Sequence, residues 1–307
     1  MFQKQLMMRK MLYVLIPLYL FSIYLYGWRP LAVGAVVFFF GIMTEYLFMK
    51  QRKQKVSEAV LVTSMLYTLS LPPLVPLWIA AVGIVFGVLF GKSIYGGFGR
   101  NIFNPAITGR LFIYVTFPTV MTGGWMVPGS FGKAAVDAVS TATPLKEMSL
   151  GMFPSLGSLI TGIRPGAIGE SGVILIVLGG LYLVYTKTAS WRIILSTLLS
   201  FTVLQGIFYY FGFSPVPVLQ SLLSGSILFV ACFMATDPVS AAKKKTGQLL
   251  YGILIGSVFV LVRDFSLFPE GASFAILMGN TFASLFDEWG GKLEKRKKAA
   301  VSKGAAK

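Results

Sequence analysis

The sequence contains no histidine and a single cysteine, Cys232, among its 307 residues. These two shortages exclude much of redox and hydrolytic chemistry. Without His, and with one thiol, the chain cannot by itself ligate a structural zinc, an iron–sulfur cluster or a His-held haem. A histidine proton relay is excluded for the same reason. Acid is scarce as well, with 11 Asp and Glu against 27 Lys and Arg, and charged residues make up only 12% of the chain. Any electron carrier must therefore be organic or belong to a partner. Cys232, in the middle of an apolar run, reads as plain packing.

What is abundant is apolar side chain. Hydrophobic residues form 55% of the sequence and the mean hydropathy is +0.75, outside the range of soluble globular domains. Apolar runs recur near 11–26, 31–49, 57–71, 74–90, 103–118, 171–186, 192–211, 218–235, 248–262 and 271–287. Most are long enough to cross a hydrocarbon layer of about 30 Å as a helix. The first run has no small-residue cleavage site after it and leads into more membrane. The expected fold is an all-α integral membrane protein of about ten transmembrane helices. The third run ends in Leu71-Pro72-Pro73, and the fifth opens on a Gly- and Asn-rich stretch from Gly96 to Pro105. Both suit broken or re-entrant segments, which survive at membrane depth only under protein cover.

The net charge of +16 does not point to nucleic acid, because Lys and Arg cluster between the apolar runs. With the N-terminus inside, 21 of them fall on the inner side, Lys92 among them. The outer side holds five: Arg29, Lys133, Lys146, Arg164 and Arg263. By the positive-inside rule, both termini are then cytoplasmic and the loop around residue 143 is outside. Lys243 to Lys245 and Lys292 to Lys298 read as topology signals and lipid-headgroup contacts, with docking of a cytoplasmic partner as the alternative.

The two halves share an order of features. Leu71-Pro72-Pro73, then Gly83 to Gly91, then Asn104-Pro105 and Gly109 recur as Asp237-Pro238, then Gly252 to Gly256, then Gly279-Asn280. Five spans per half make the repeats inverted, a design that places binding sites at the repeat interface. The expected division is a first membrane repeat over 1–118, an extracytoplasmic loop over 119–170, a second repeat over 171–291 and a basic cytoplasmic tail over 292–307.

The loop carries the sharpest motif, Asp137-Ala138-Val139-Ser140-Thr141-Ala142-Thr143-Pro144. Thr143 followed by Pro144 reads first as a helix start, with Thr as cap and Pro as first helical residue. A hydroxyl there is also well placed to hold a phosphate ester, since free N–H groups favour an anion. Asp137, Ser140, Thr141, Ala142 and Thr143 resemble the flavin-attachment motif of the NqrB/RnfD family. Thr141 stands where that family usually has Gly. The segments Gly99 to Ala106, Phe233 to Ser240 and Gly271 to Asp287 resemble the same family, so the likeness covers essentially the whole chain. Its length and N-terminus resemble the RnfD branch more than NqrB.

The resemblance implies FMN bound covalently through its phosphate to Thr143, and a non-covalent riboflavin among the helices as a second cofactor. It implies a subunit of an Rnf-type ferredoxin:NAD oxidoreductase in a prokaryotic inner membrane, coupled to Na+ or H+ translocation. The partners it implies are other membrane and peripheral subunits, including iron–sulfur and flavin subunits, and a flavin transferase for maturation. Within the spans, Arg110 and Asn104 are candidate cofactor contacts, and Asp237 with Thr236 a candidate ion path. Capping or interfacial pairing is the plainer role for Asp237, as hydrogen bonding between helices is for Asn104 and Asn280. Glu45 is placed to reach the interface beside Lys50, while Glu58 and Asp287 are further acidic groups near the spans. Two readings from other classes compete: a channel or secondary transporter for a small solute, and a scaffold for partner subunits. Neither has a use for residues 137–143 as a flavin motif.

Overall fold

The computed structural model describes residues 2–129, 144–149, 152–266 and 271–304. The chain is helical almost throughout. The first half comprises α1 (Leu6–Tyr26), α2 (Arg29–Gln51), α3 (Ala59–Ser70), α4 (Leu77–Val88), α5 (Pro105–Thr116) and α6 (Pro118–Gly123). Short helices α7 (Pro144–Ser149) and α8 (Leu156–Thr161) follow. The second half holds α9 (Val173–Tyr185), α10 (Trp191–Tyr210), α11 (Val218–Leu223), α12 (Ile227–Phe229), α13 (Lys245–Phe265) and α14 (Ala272–Gly304). The strand content among the described residues is one parallel pairing, Phe2–Gln3 with Val56–Ser57.

A helix stands at each of the ten predicted apolar runs, but they are not alike. Four of them, α1, α2, α10 and α13, are long and apolar enough to cross a membrane, at 20 to 23 residues each. Helix α3 is short, as expected, because Leu71-Pro72-Pro73 turns extended after Ser70. The eighth run is also broken, which its composition did not announce. Its first piece, α11, ends at Ser224 in extended backbone, and Gly225 takes a left-handed φ of 82° before α12 resumes. Two π-helical turns extend neighbouring helices, Leu89–Ser93 after α4 and Val230–Met234 after α12. Such turns often mark functional positions. Helix α14 runs from its apolar part into the basic residues without interruption.

Small residues let these helices approach at backbone distance. In α4, Gly83 and Gly87 face Gly109 of α5, and a Cβ built on Gly87 would lie 2.9 Å from the Gly109 nitrogen. In α13, Gly252 and Gly256 face Ser196 and Thr197 of α10, and a Cβ on Gly256 would lie 2.9 Å from the Phe201 nitrogen. Each is a Gly-x-x-x-Gly stripe, the spacing that permits close crossing where lipid gives no hydrophobic drive between helices. Large side chains such as Leu20, Phe39, Leu181 and Val203 are exposed on the outer faces of α1, α2, α9 and α10. A helical protein with that surface is an integral membrane protein.

Candidate functional site

Residues 137, 140, 141, 142 and 143 lie outside the described part of the chain. The helix expected from Thr143-Pro144 is present: α7 begins at Pro144 and is six residues long. Of the remaining site candidates, Asn104, Thr236 and Asp237 come together at the ends of the broken segments.

Helix α5 starts where Asn104 turns its side chain back on the first turn. Its Oδ1 accepts the N–H of Ala106 at 3.0 Å, and Pro105 occupies the first helical position, where a missing N–H matters least. The Asn104 side-chain amide donates to the Met234 carbonyl at the end of the second π-turn, 3.4 Å away. The Asn104 backbone N–H donates to Asn280 Oδ1 of α14 at 3.0 Å. Asn280 in turn donates to the Tyr251 hydroxyl at 2.9 Å and the Ser240 carbonyl at 3.3 Å. The two asparagines thus tie the halves together through the open ends of interrupted helices.

Beside this junction Lys92 sits on the first π-turn with its side chain 2% exposed. Its ammonium meets Glu45 Oε2 at 2.6 Å and Ser57 Oγ at 2.9 Å. Two sequence expectations are corrected here. Glu45 does not reach the interface beside Lys50, since its carboxylate is 1% exposed and paired with Lys92. Lys92 is not an inner-loop charge; it is folded inward as the counter-ion that makes a buried Glu45 tolerable.

Asp237 and Thr236 follow the second π-turn, at the end of the eighth apolar run. Asp237 Oδ1 accepts the Val239 N–H at 2.9 Å, and the Thr236 hydroxyl donates to the Cys232 carbonyl at 2.8 Å. Both bonds are local caps. Yet Thr236, Asp237, Asn101, Asn104, Lys92 and Phe98 line one cavity of about 50 Å³. Its remaining wall includes Phe233 and three methionines, Met7, Met8 and Met11. Asn101 Oδ1 is buried there without a partner, so the cavity holds an acceptor waiting for a donor. Asn101 was missed as a candidate, although it lies in the same stretch as Asn104 and three residues before it.

Arg110 does not join this group. It is 1% exposed, and its electrostatic neighbours are Glu170, Tyr67 and Tyr114. Arg164 and Arg263 share the Glu170 neighbourhood. They are not free outer-loop charges either. Arg164 donates to the Leu223 carbonyl at 2.7 Å, and Arg263 to the Ser221 carbonyl at 2.8 Å. Those carbonyls end α11 and have no next turn to bond, so cations belong there. Tyr26 closes the cluster, with its hydroxyl 2.8 Å from Ser171 Oγ.

The other two acidic candidates, Glu58 and Asp287, hold helix starts in place. Glu58 pairs with Arg9 at 2.6 Å and accepts the Gln5 N–H at 2.7 Å, tying the start of α1 to that of α3. Asp287 accepts the N–H groups of Lys243 at 2.9 Å and Lys244 at 2.7 Å, anchoring the start of α13 to α14.

These features define a helical membrane protein with interrupted helices meeting at a polar centre. The chain belongs to the NQR2, RnfD, RnfE family, whose model matches residues 2–293. It is similar to the NqrB subunit of the Na(+)-translocating NADH-quinone reductase of Azotobacter vinelandii, 39% identical over 268 residues, covering 84% of this chain and 66% of that one. The corresponding subunit of Yersinia pestis is 37% identical over 274 residues, covering 84% and 65% respectively. That of Klebsiella pneumoniae strain 342 is 38% identical over 287 residues, covering 85% and 68%. The chain thus spans about two thirds of the length of the curated relatives it matches.

Proposed function

We propose that this chain is a membrane subunit of a redox-driven ion pump and carries FMN covalently at Thr143. The observation that carries the reading is the family match over residues 2–293, joined to relatives named as subunits of an ion-translocating reductase. The motif from Asp137 to Thr143 supports the attachment site, with Asp137, Ser140, Thr141 and Ala142 as the surroundings that a flavin transferase recognises. A bound isoalloxazine supplies reversible one- and two-electron transfer. This chain supplies the attachment point and the helices that hold it in the membrane.

The architecture we propose is ten spans in two inverted repeats, with α4–α5 of the first matching α13–α14 of the second. The Gly stripes of α4 and α13 and the pairing of Asn104 with Asn280 support that correspondence. Both termini are on the cytoplasmic face of a prokaryotic inner membrane and residues 119–170 on the other.

We assign the non-covalent riboflavin to the cavity at Asn101, Asn104 and Asp237 on the chemistry of its lining. Amides and a carboxylate complement the imide edge of an isoalloxazine, the unpaired Asn101 oxygen would accept from it, and Phe98 would cover a ring face. About 50 Å³ holds only a few waters, so binding would require the wall of Met7, Met8 and Met11 to move aside. Lys92 and Glu45 would keep that end of the cavity polar and fixed. The ion path through Asp237 and Thr236 belongs to the same proposal, with Na+ or H+ as the ion.

Two electron-transfer settings suit such a subunit. The relatives' names favour NADH to quinone; the RnfD branch of the same family gives the alternative, ferredoxin and NAD, with iron–sulfur and flavin subunits as partners. Inverted membrane vesicles carrying the native complex decide between them. Ion uptake driven by NADH and quinone supports the first, and uptake driven by reduced ferredoxin and NAD the second. A solute flux that persists with neither donor, and is untouched by deleting 137–143, would leave a channel as the better description.

A further inference from the structure

Between the end of α9 and the start of α10 lies an open cleft of about 590 Å³ that shares Thr236 and Asp237 with the smaller cavity but brings in cations that the redox reading does not use. Three segments bring cations to it: Lys187 from the turn after α9, Arg192 from the first turn of α10, and Lys243 from the segment before α13. Lys187 holds a left-handed φ of 56°, a position after a helix that ordinarily goes to Gly or Asn. Trp191, half exposed, stands beside Arg192, whose guanidinium carbon lies 4.8 Å from the indole centroid. That stacking holds the guanidinium in place before any ligand arrives. The carboxylate on the lining, that of Asp237, is turned to the Val239 N–H. Ser190, on the floor, gives its hydroxyl to Gln248 of α13 at 2.8 Å, which fixes the two helices across the cleft.

Depth identifies the ligand class. Trp191 and Arg192 open a 20-residue apolar helix, so the cleft lies where hydrocarbon gives way to headgroups. A concave site at that level, cationic on three sides and flanked by an indole, complements a phosphate that arrives with an acyl chain.

We propose that this cleft binds the phosphate headgroup of an anionic phospholipid from the Lys- and Arg-rich leaflet, held by Lys187, Arg192 and Lys243. The site is independent of the flavin at Thr143.

The test uses the full chain, with any partner subunits that copurify, in phosphatidylcholine nanodiscs containing a graded fraction of phosphatidylglycerol. Bound anionic lipid is counted by native mass spectrometry. The cleft variant Lys187→Ala/Arg192→Ala/Lys243→Ala is compared with Lys295→Ala/Arg296→Ala/Lys297→Ala, which removes the same charge from the tail. Each cleft charge removed should weaken retention about fivefold, and all three about a hundredfold. The tail variant should keep its lipid. The charge-conserving set Lys187→Arg/Arg192→Lys/Lys243→Arg should recover most of the retention, which separates lost binding from lost folding. Equal loss in the cleft and tail variants, or full retention in the cleft variant, would overturn the proposal. Binding of an acidic partner protein that vanishes in the cleft variant while lipid stays would overturn it in favour of a protein contact.

Discussion

The backbone N–H of Asn104 is bonded to the side chain of Asn280, 176 residues later, at 3.0 Å. One residue caps α5 and the other lies within α14. Asn280 also serves Tyr251 and Ser240, so a single buried amide satisfies three groups. Replacement of Asn280 by Ala should strand the Asn104 N–H, the Ser240 carbonyl and the Tyr251 hydroxyl. We expect a loss of about 2–3 kcal/mol, below the sum of three separate bonds because unfolded helices in lipid find other partners. Thermal unfolding of the detergent-solubilised protein measures it, and an unchanged midpoint would mean the junction is incidental.

The Lys92–Glu45 pair predicts a particular pattern of coupling. Lys92→Met alone leaves a buried carboxylate and Glu45→Gln alone a buried ammonium, each at about 3–5 kcal/mol. The double variant should be more stable than either single one, since no uncompensated charge remains. Simple additivity in that double-mutant cycle would show that the pair does not form.

Glycine substitutions separate close packing from backbone strain. Gly109→Ala would drive a methyl group into the Gly83 carbonyl region and should cost more than about 3 kcal/mol. Gly212→Ala meets nothing within 4 Å but has a φ of 75°, so only strain of about 1 kcal/mol is expected. Comparable unfolding midpoints for the two variants would contradict the close crossing of α4 and α5.

Much of this arrangement was legible in the residues, for reasons that differ by element. The apolar runs located every long helix, because a span needs continuous apolar length and the chain has little else. Leu71-Pro72-Pro73 announced its break through the steric limit before proline. The break at Ser224–Ser226 did not show, since Ser and Gly are tolerated in either state and the arrest comes from Arg164 and Arg263 binding its carbonyls. Asn104 could be read as a cap from Asn-Pro alone. Glu45 could not be paired correctly, because its partner Lys92 is 47 residues away and was counted by charge statistics as a loop residue. The same statistics count Arg263 by its sign alone and cannot show that its guanidinium packs 4.7 Å from the Phe259 ring centroid. Local rules see sequence neighbours, and these charges are settled by tertiary ones.

The arginines at the end of α11 give a fourth expectation. Arg263→Lys keeps the charge but loses the fork that reaches Ser221 and Ser224 together. Arg263→Met loses both. Amide hydrogen exchange over residues 218–230 should rise modestly in the first variant and by at least about tenfold in the second. Equal protection in all three proteins would show that the broken helix is held by packing alone.

The central claim, that this chain is a flavoprotein with FMN on Thr143, is tested most directly by flavin fluorescence in a denaturing gel. Wild type and Thr143→Ala would be produced with an active flavin transferase and run side by side. The expected result is a fluorescent band at the full-length position in the wild type and none in the variant, with equal protein in both lanes. A dark wild-type lane, with the transferase shown active on another acceptor, or a band that survives Thr143→Ala, would contradict the assignment.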